Sequence, residues 1–389
     1  MYPHQAERLG AALEGEGLGA LVATTAANVQ YLTGFRSLAP AVSRPPHFAV
    51  FAPRGTALVV PGIDVASVVA DAIAVDHVAC FGRFDAHYAE GSSAGGQVRA
   101  LIERQAPSPA EALAHALESL RVRGRIGLDE DTLTPAAWQQ VAARLQPHPL
   151  VPAADLLRGA RRVKGPYEIE CLARALGIAE EAANAVIQAL KPGMTEREAM
   201  IVYGTEVLRR GGTEIGPATI AFGDRTWSAA SAPTDRSLRG GDLVRLDLGC
   251  VFKGYHASLA RMAVTGEPSP RQQTACDAVQ AGLEAAIAAV APGIPAGRIC
   301  EAAIAATRGG GLAAFERDDL GHGIGLEPCE PPTLAAGDPT PLEVGEVLRI
   351  EVPYFEIGWA GVSVRDTVLV TTRSCQVVNR STRALVLLD

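Results

Sequence analysis

The pattern of apolar residues changes character once along this chain, near Pro152 to Lys164, and that change constrains the fold more than any other feature. Before it, short apolar runs alternate with helical segments. Leu18 to Thr24, Phe48 to Pro53 and Ile126 to Asp129 have strand length, and Gly55 to Val60 follows the second run closely enough to form a hairpin with it. Gln5 to Leu13, Ala110 to Leu120 and Pro135 to Leu145 carry helical spacing. This alternation predicts an α/β layer domain over residues 1–155. After a polar, basic connector a long helix opens at Pro166, with Ile169, Leu172, Ile178, Val186 and Leu190 on one stripe until Pro192-Gly193. Thr195 and Glu198 form a capping-box pair for a second helix that stops at Gly211-Gly212. The remainder is strand-rich: Asp242 to Leu248, Tyr255 to Val264, Glu346 to Glu351 and Val362 to Val370, broken by one helical stretch from Arg271 to Val290. An α+β domain over 156–389 follows, and a chain of 389 residues exceeds the size at which one core usually stops growing.

Charge and cysteine content exclude several classes of partner. A formal net charge of -8 works against phosphate-backbone binding, so no nucleic-acid partner is expected. The run from Arg158 to Lys164 is a short basic approach to a helix. No apolar run reaches the roughly 18 residues of a membrane span. The start, Met1-Tyr2-Pro3-His4-Gln5 followed by Glu7, lacks the basic and apolar parts of a signal peptide. A cytoplasmic protein with no membrane partner is the expectation. The seven cysteines are odd in number and include no Cys-x-x-Cys pair, which suits a reducing compartment better than a disulfide framework or a zinc site. Six of them read as core residues, Cys329 being the exception. Gly309-Gly-Gly311 reads as a turn, because it lacks the strand-then-helix context of a phosphate loop.

Four strings carry chemistry. They are Asn28-Val-Gln-Tyr-Leu-Thr-Gly-Phe35, Gly241 to Gly249 followed by Gly254-Tyr255, Gly321-His-Gly-Ile-Gly-Leu-Glu-Pro-Cys-Glu-Pro-Pro332, and Gly361-Val-Ser-Val-Arg-Asp-Thr-Val-Leu-Val370. In this order and spacing the chain resembles the creatinase and Xaa-Pro peptidase family, which includes aminopeptidase P and prolidase (peptidase M24). The resemblance implies a creatinase-like amino-terminal domain followed by a pita-bread domain. It also implies a homodimer, and a site where two Asp, one His and two Glu hold two divalent ions that generate a hydroxide nucleophile.

Residue by residue, the first Asp falls on Asp247, the His on His322 and the first Glu on Glu351 of Ile350-Glu-Val-Pro-Tyr354. The second Asp falls on Ser258 and the last Glu on Arg365, so the two shared carboxylates are missing and no metal or other cofactor is expected. A guanidinium at Arg365 would supply fixed positive charge beside Asp247 and Glu351, where a cation would be repelled; the alternative is that it swings out to solvent. The metal-free creatinase branch uses a His as proton shuttle. Its substrate-side His falls on Ala230, its extra acidic residue on Ala260, and the second His of the Gly321 motif on Cys329.

The candidate catalytic residues are therefore His322 and Glu351. Asp247, Arg365, Tyr255, His256, Ser258, Cys329, Glu330 and Arg44 are candidates for substrate contact. Arg44 matches a loop arginine that in creatinase reaches a carboxylate-bearing substrate across the dimer interface. Tyr255 and His256 are neighbours on a strand, so only one of them can face the cleft. Cys329 is either a nucleophile or a small buried replacement for His. The expected function is metal-independent hydrolysis of a carbon–nitrogen bond in a small amide, amidine or dipeptide-like substrate. Two alternatives stand beside it: a catalytically inactive homologue that binds a ligand or partner, and an Xaa-Pro metallopeptidase.

Overall fold

The computed structural model describes residues 1–37 and 45–388, in two compact units, Met1–Arg161 and Arg162–Asp389. Arg44 lies outside the described residues.

Among the described residues the first unit holds a six-stranded sheet in the order β4-β3-β2-β1-β5-β6. Its strands are β1 (Leu18–Ala23), β2 (Phe48–Ala52), β3 (Gly55–Pro61), β4 (His77–Phe81), β5 (Arg125–Leu128) and β6 (Leu150–Pro152). β2 and β3 form the expected hairpin, with Ala52 opposite Gly55. The parallel pairing of β1 with β5 needs a long crossover, and the helix Pro109–Ser119 in that connection packs Ala112, Leu113, Ala116 and Leu117 into the core of this layer. Asn28 is in a helix, Ala26–Thr33. Its side-chain Nδ2 donates to Asp129 Oδ2 at 2.7 Å, and the backbone amides of Thr24 and Thr25 donate to the same oxygen. The first motif is thus a buried polar staple of the amino-terminal layer.

The second unit is built on one large, mainly antiparallel sheet with the path β12-β11-β13-β14-β10-β9-β7, while β15, β16 and β8 pair with β14, β10 and β9. The strands are β7 (Glu214–Ile215), β8 (Thr219–Phe222), β9 (Leu243–Phe252), β10 (Tyr255–Thr265), β11 (Asp319–Gly323), β12 (Glu330–Ala335), β13 (Val347–Glu356), β14 (Ala360–Val370), β15 (Cys375–Val377) and β16 (Val386–Leu388). Two helix pairs cover one face. Pro166–Ala189 and Glu196–Arg209 share a core with Leu246, Leu248 and Leu259, and Pro270–Ala289 and Ala296–Gly309 share one with Ile350, Val352, Val362 and Val364. The sequence reading placed one helix in this second pair. Ala296–Gly309 escaped it because its only large aliphatic residues are Ile299 and Ile304, the rest of its apolar face being mostly alanine. Side chains alternate across a strand, so with Val352, Val364 and Ile350 committed to the helices, Glu351 and Arg365 project from the opposite face.

Candidate active site

The register of four adjacent strands sets the site. Ala260 on β10 lies opposite Asp247 on β9 and also opposite Arg365 on β14, and Arg365 lies opposite Glu351 on β13. Asp247, Ala260, Arg365 and Glu351 therefore form one straight row, with an acidic residue at each end. Strands stand about 4.8 Å apart, so an arginine can reach both neighbours only if the position between carries little side chain. Alanine at 260 meets that condition.

Arg365 uses this geometry. Its Nε donates to Glu351 Oε2 at 2.7 Å, Nη2 bonds the same oxygen, and Nη2 lies 3.5 Å from Asp247 Oδ1. The last contact is an ion pair by distance and too long to satisfy the oxygen as a hydrogen bond, and among the described residues Asp247 Oδ1 is a buried acceptor without a donor. Arg365 does not swing out to solvent. Its side chain is 13% exposed, and the two carboxylates at its ends are 14% and 15% exposed.

Two further arginines share the face, and the sequence reading missed both. Arg245 is two residues before Asp247 and Arg349 two before Glu351, so in each strand the pair projects the same way. Arg245 pairs with Asp247 and donates to the Ser228 carbonyl at 2.6 Å, tying down the turn that contains Ala230. Arg349 Nη2 donates to Glu351 Oε1 at 2.9 Å. Burial by itself would raise the Glu351 carboxyl, but Arg365 and Arg349 overcome it and hold the group down at about 2. Burial, reinforced by Arg365, lowers the Arg349 guanidinium, whereas Glu351 and Asp247 outweigh burial at Arg365 and raise it. Glu351 is thus a poor proton acceptor; its place is to orient two guanidiniums.

His322 lies on β11 opposite Arg349. The glycines of its motif allow strands to close around it: a Cβ at Gly321 would run into the Arg349 carbonyl, and one at Gly325 would sit 2.6 Å from the Glu330 carboxylate. His322 Nδ1 is 2.7 Å from the Gly323 carbonyl oxygen, and Nε2 is 3.1 Å from Cys329 Sγ. Burial, then Arg349, lowers the imidazole pKa; burial raises the thiol. The pair rests as neutral imidazole and neutral thiol.

Three sequence expectations need correction. Cys329 is exposed, so it is not a buried stand-in for His. Tyr255 points away from the row: it is buried, its ring meets Tyr167 edge-on, and its hydroxyl lies 3.3 Å from Glu168 Oε1. His256 and Ser258 alternate with it and share the side of Ala260. Ser258 is buried and its hydroxyl has no hydrogen-bond partner among the described residues. Glu330 is not open to substrate, because it is buried against Lys164 Nζ at 2.9 Å. Its neighbour in sequence, Cys329, faces outward on the same turn.

A dinuclear centre needs converging anionic and imidazole donors. Here Asp247 and Glu351 are each held by guanidinium groups, and three arginines against two carboxylates leave one positive charge in excess. Among the described residues no group of three or more His, Cys, Asp or Glu side chains converges as metal ligands. This donor set does not fit a pair of divalent ions. Among the described residues, no helix is long and apolar enough to cross a membrane.

Comparison with known proteins places these features in context. The creatinase/prolidase N-terminal domain model matches residues 5–163, and that of metallopeptidase family M24 matches residues 170–372. The Xaa-Pro dipeptidase of Pyrococcus furiosus is 31% identical over 236 residues, which is 59% of this chain and 67% of that protein. Among solved structures, the Xaa-Pro dipeptidase from Bacillus anthracis matches with a TM-score of 0.81 at 21% identity, covering 99% of both chains. Dipeptidase PepE from Mycobacterium ulcerans matches with a TM-score of 0.75 at 26% identity, covering 98% of this chain and 96% of that one.

Proposed function

This chain belongs to metallopeptidase family M24, with a creatinase-type α/β domain followed by an α+β pita-bread domain, and we propose that within that family it hydrolyses a carbon–nitrogen bond without metal. The substrate class is a small amide, amidine or dipeptide-like molecule, in keeping with the dipeptidase names of its relatives. The observation that carries the reading is Arg365, hydrogen-bonded to Glu351 and ion-paired with Asp247. Its guanidinium supplies the positive charge that an ion supplies elsewhere, and His322, whose Nε2 faces a thiol rather than a carboxylate, is the group placed to move a proton. Arg44 and the homodimer implied by the family resemblance belong to the same proposal.

The second reading, an Xaa-Pro metallopeptidase, is favoured by the names of the similar proteins. The third, a binding protein without turnover, is favoured by alanine at positions 230 and 260. One experiment separates them. Purified protein is analysed for bound transition metal, then assayed with Xaa-Pro dipeptides, guanidino acids and cyclic amidines with and without chelator, alongside a thermal-shift screen of the same compounds. Turnover that chelator leaves unchanged, in protein with less than stoichiometric metal, is expected. Two ions per chain and chelator-sensitive turnover select the metallopeptidase; a thermal shift without turnover selects the binder. Small-angle scattering at micromolar concentration tests the dimer, which a monomeric mass would overturn.

A further inference from the structure

We propose that Cys329 and His322 are a nucleophile–base pair, with Cys329 Sγ forming a thioester with the acyl group of the substrate. The inference rests on the hydrolase reading above and deepens it. Its geometry is in the hydrogen bonds. A carbonyl oxygen only accepts, so the 2.7 Å contact between His322 Nδ1 and the Gly323 carbonyl places the ring proton on Nδ1. Nε2 is then the lone-pair nitrogen of the neutral ring, and the thiol 3.1 Å away is its hydrogen-bond donor. Nucleophile, base and an orienting group for the base are the three parts such a pair requires.

The surroundings support use over packing. Cys80, Cys171, Cys250, Cys276 and Cys300 are buried, whereas Cys329 is exposed beside a buried histidine. The turn that presents it is fixed from below: Glu330 is locked to Lys164, the Glu327 amide donates to Glu330 Oε1 at 3.2 Å, and the Gly325 amide donates to the Glu327 carbonyl at 3.1 Å. A rigid mount of this kind holds a reactive group in place without a substrate. Arg349, opposite His322 in the sheet, has a buried Nε–H with no acceptor among the described residues. The positive charge of that guanidinium, beside the pair, favours the negative charge that develops at an attacked carbonyl.

The reaction balances without a further reactant except water. Sγ adds to the carbonyl carbon of the amide while its proton passes to His322 Nε2. The carbon–nitrogen bond breaks as that proton is delivered to the leaving nitrogen, which releases the amine and leaves a thioester on Cys329. Water then adds to the thioester and loses a proton to Nε2. The carbon–sulfur bond breaks, the proton returns to sulfur, and the acid departs.

The test uses the full chain and p-nitrophenyl acetate as acylating probe. A burst of p-nitrophenolate equal to the chain concentration is expected, with peptide mass mapping placing the acetyl group on Cys329. The rate should exceed that of glutathione at the same pH by at least tenfold, be unaffected by Cys375→Ser, fall at least tenfold in His322→Asn, and vanish in Cys329→Ala. Acylation of Cys329 no faster than glutathione overturns the pair, and this comparison needs no variant to fold. An unchanged rate in a folded His322→Asn protein overturns it as well. Failure of the two readings is distinguishable: amide hydrolysis that persists in Cys329→Ala removes the nucleophile and keeps the hydrolase, whereas rapid acylation with no amide turnover keeps the pair and removes the hydrolase.

Discussion

Arg365 Nε stands 2.7 Å from Glu351 Oε2, directly across two antiparallel strands, in the place where family resemblance puts the last metal-binding glutamate. A guanidinium at this position holds the neighbouring carboxylate, which a glutamate there would repel. Breaking a buried ion pair from one side leaves an uncompensated charge, which typically costs about 3 to 5 kcal/mol. Arg365→Ala is therefore expected to lower unfolding stability by about 3 kcal/mol, because the small solvent exposure of the pair trims the upper value. Arg365→Lys should recover part of that loss but lacks the fork that reaches both Glu351 and Asp247. Urea denaturation of the three proteins gives the comparison, and an alanine variant as stable as the parent would show the pair to be dispensable.

Charge balance makes a second expectation. Ser258→Asp together with Arg365→Glu changes the row from one positive charge in excess to two negative, with Arg245 and Arg349 still in place. Manganese or cobalt should then bind measurably by calorimetry and raise the melting temperature. The parent should show neither effect, and each single variant should bind more weakly than the pair of changes. Equal binding by parent and double variant would contradict the account of Arg365 as a replacement for metal charge.

Acid should weaken the fold through Glu351. The folded carboxyl is held at about 2, below the unfolded value near 4.5, so the folded state binds fewer protons between those pH values. Its contribution, roughly 3 kcal/mol from the size of that depression, is fully present above pH 4.5 and is lost as pH falls towards 2. In Glu351→Gln the corresponding slope of stability against pH should flatten over that window. Chemical denaturation at a series of pH values reads this directly.

Lys164 and Glu330 offer a contrast, since their side chains are 1% and 2% exposed and the pair supports the turn that carries Cys329. Lys164→Ala should destabilise by about 3 to 5 kcal/mol, while Lys164→Met with Glu330→Met should be far milder, because it removes both charges and keeps volume. If the double change is as damaging as the single one, the hydrogen bonds that Glu330 accepts from the turn matter more than its charge.

How much of this was readable beforehand differs by residue. The two layers and their order followed from apolar spacing, and the positions of Asp247, His322, Glu351 and Arg365 followed from motifs. The companions of those residues did not. Arg245-Leu-Asp247 and Arg349-Ile-Glu351 each place an arginine and a carboxylate on one face of a strand, a signal that period-two reading could have caught. Glu330 was misread because its partner, Lys164, is remote in sequence and sits in the connector that composition marks only as basic. Tyr255 and His256 could not be separated without knowing which side of β10 faces the helices; the cores around Leu259 and Ala257 decide it.

The straight row across β9, β10, β14 and β13 also bears on how the domain opens. Its members come from two hairpins far apart in the chain, β9–β10 and β13–β14, and neither side-chain contact of Arg365, to Glu351 or to Asp247, survives if β14 leaves the sheet. An excursion of that one strand would carry the Arg365 guanidinium away from both carboxylates and leave each with the arginine of its own strand, Arg245 for Asp247 and Arg349 for Glu351, so salt and pH should act on the parting of the two hairpins. Amide hydrogens between β10 and β14 would then exchange together with the breaking of the Arg365 contacts rather than by fraying from the sheet edge, and the charged face becomes a gauge of whether the two hairpins are joined.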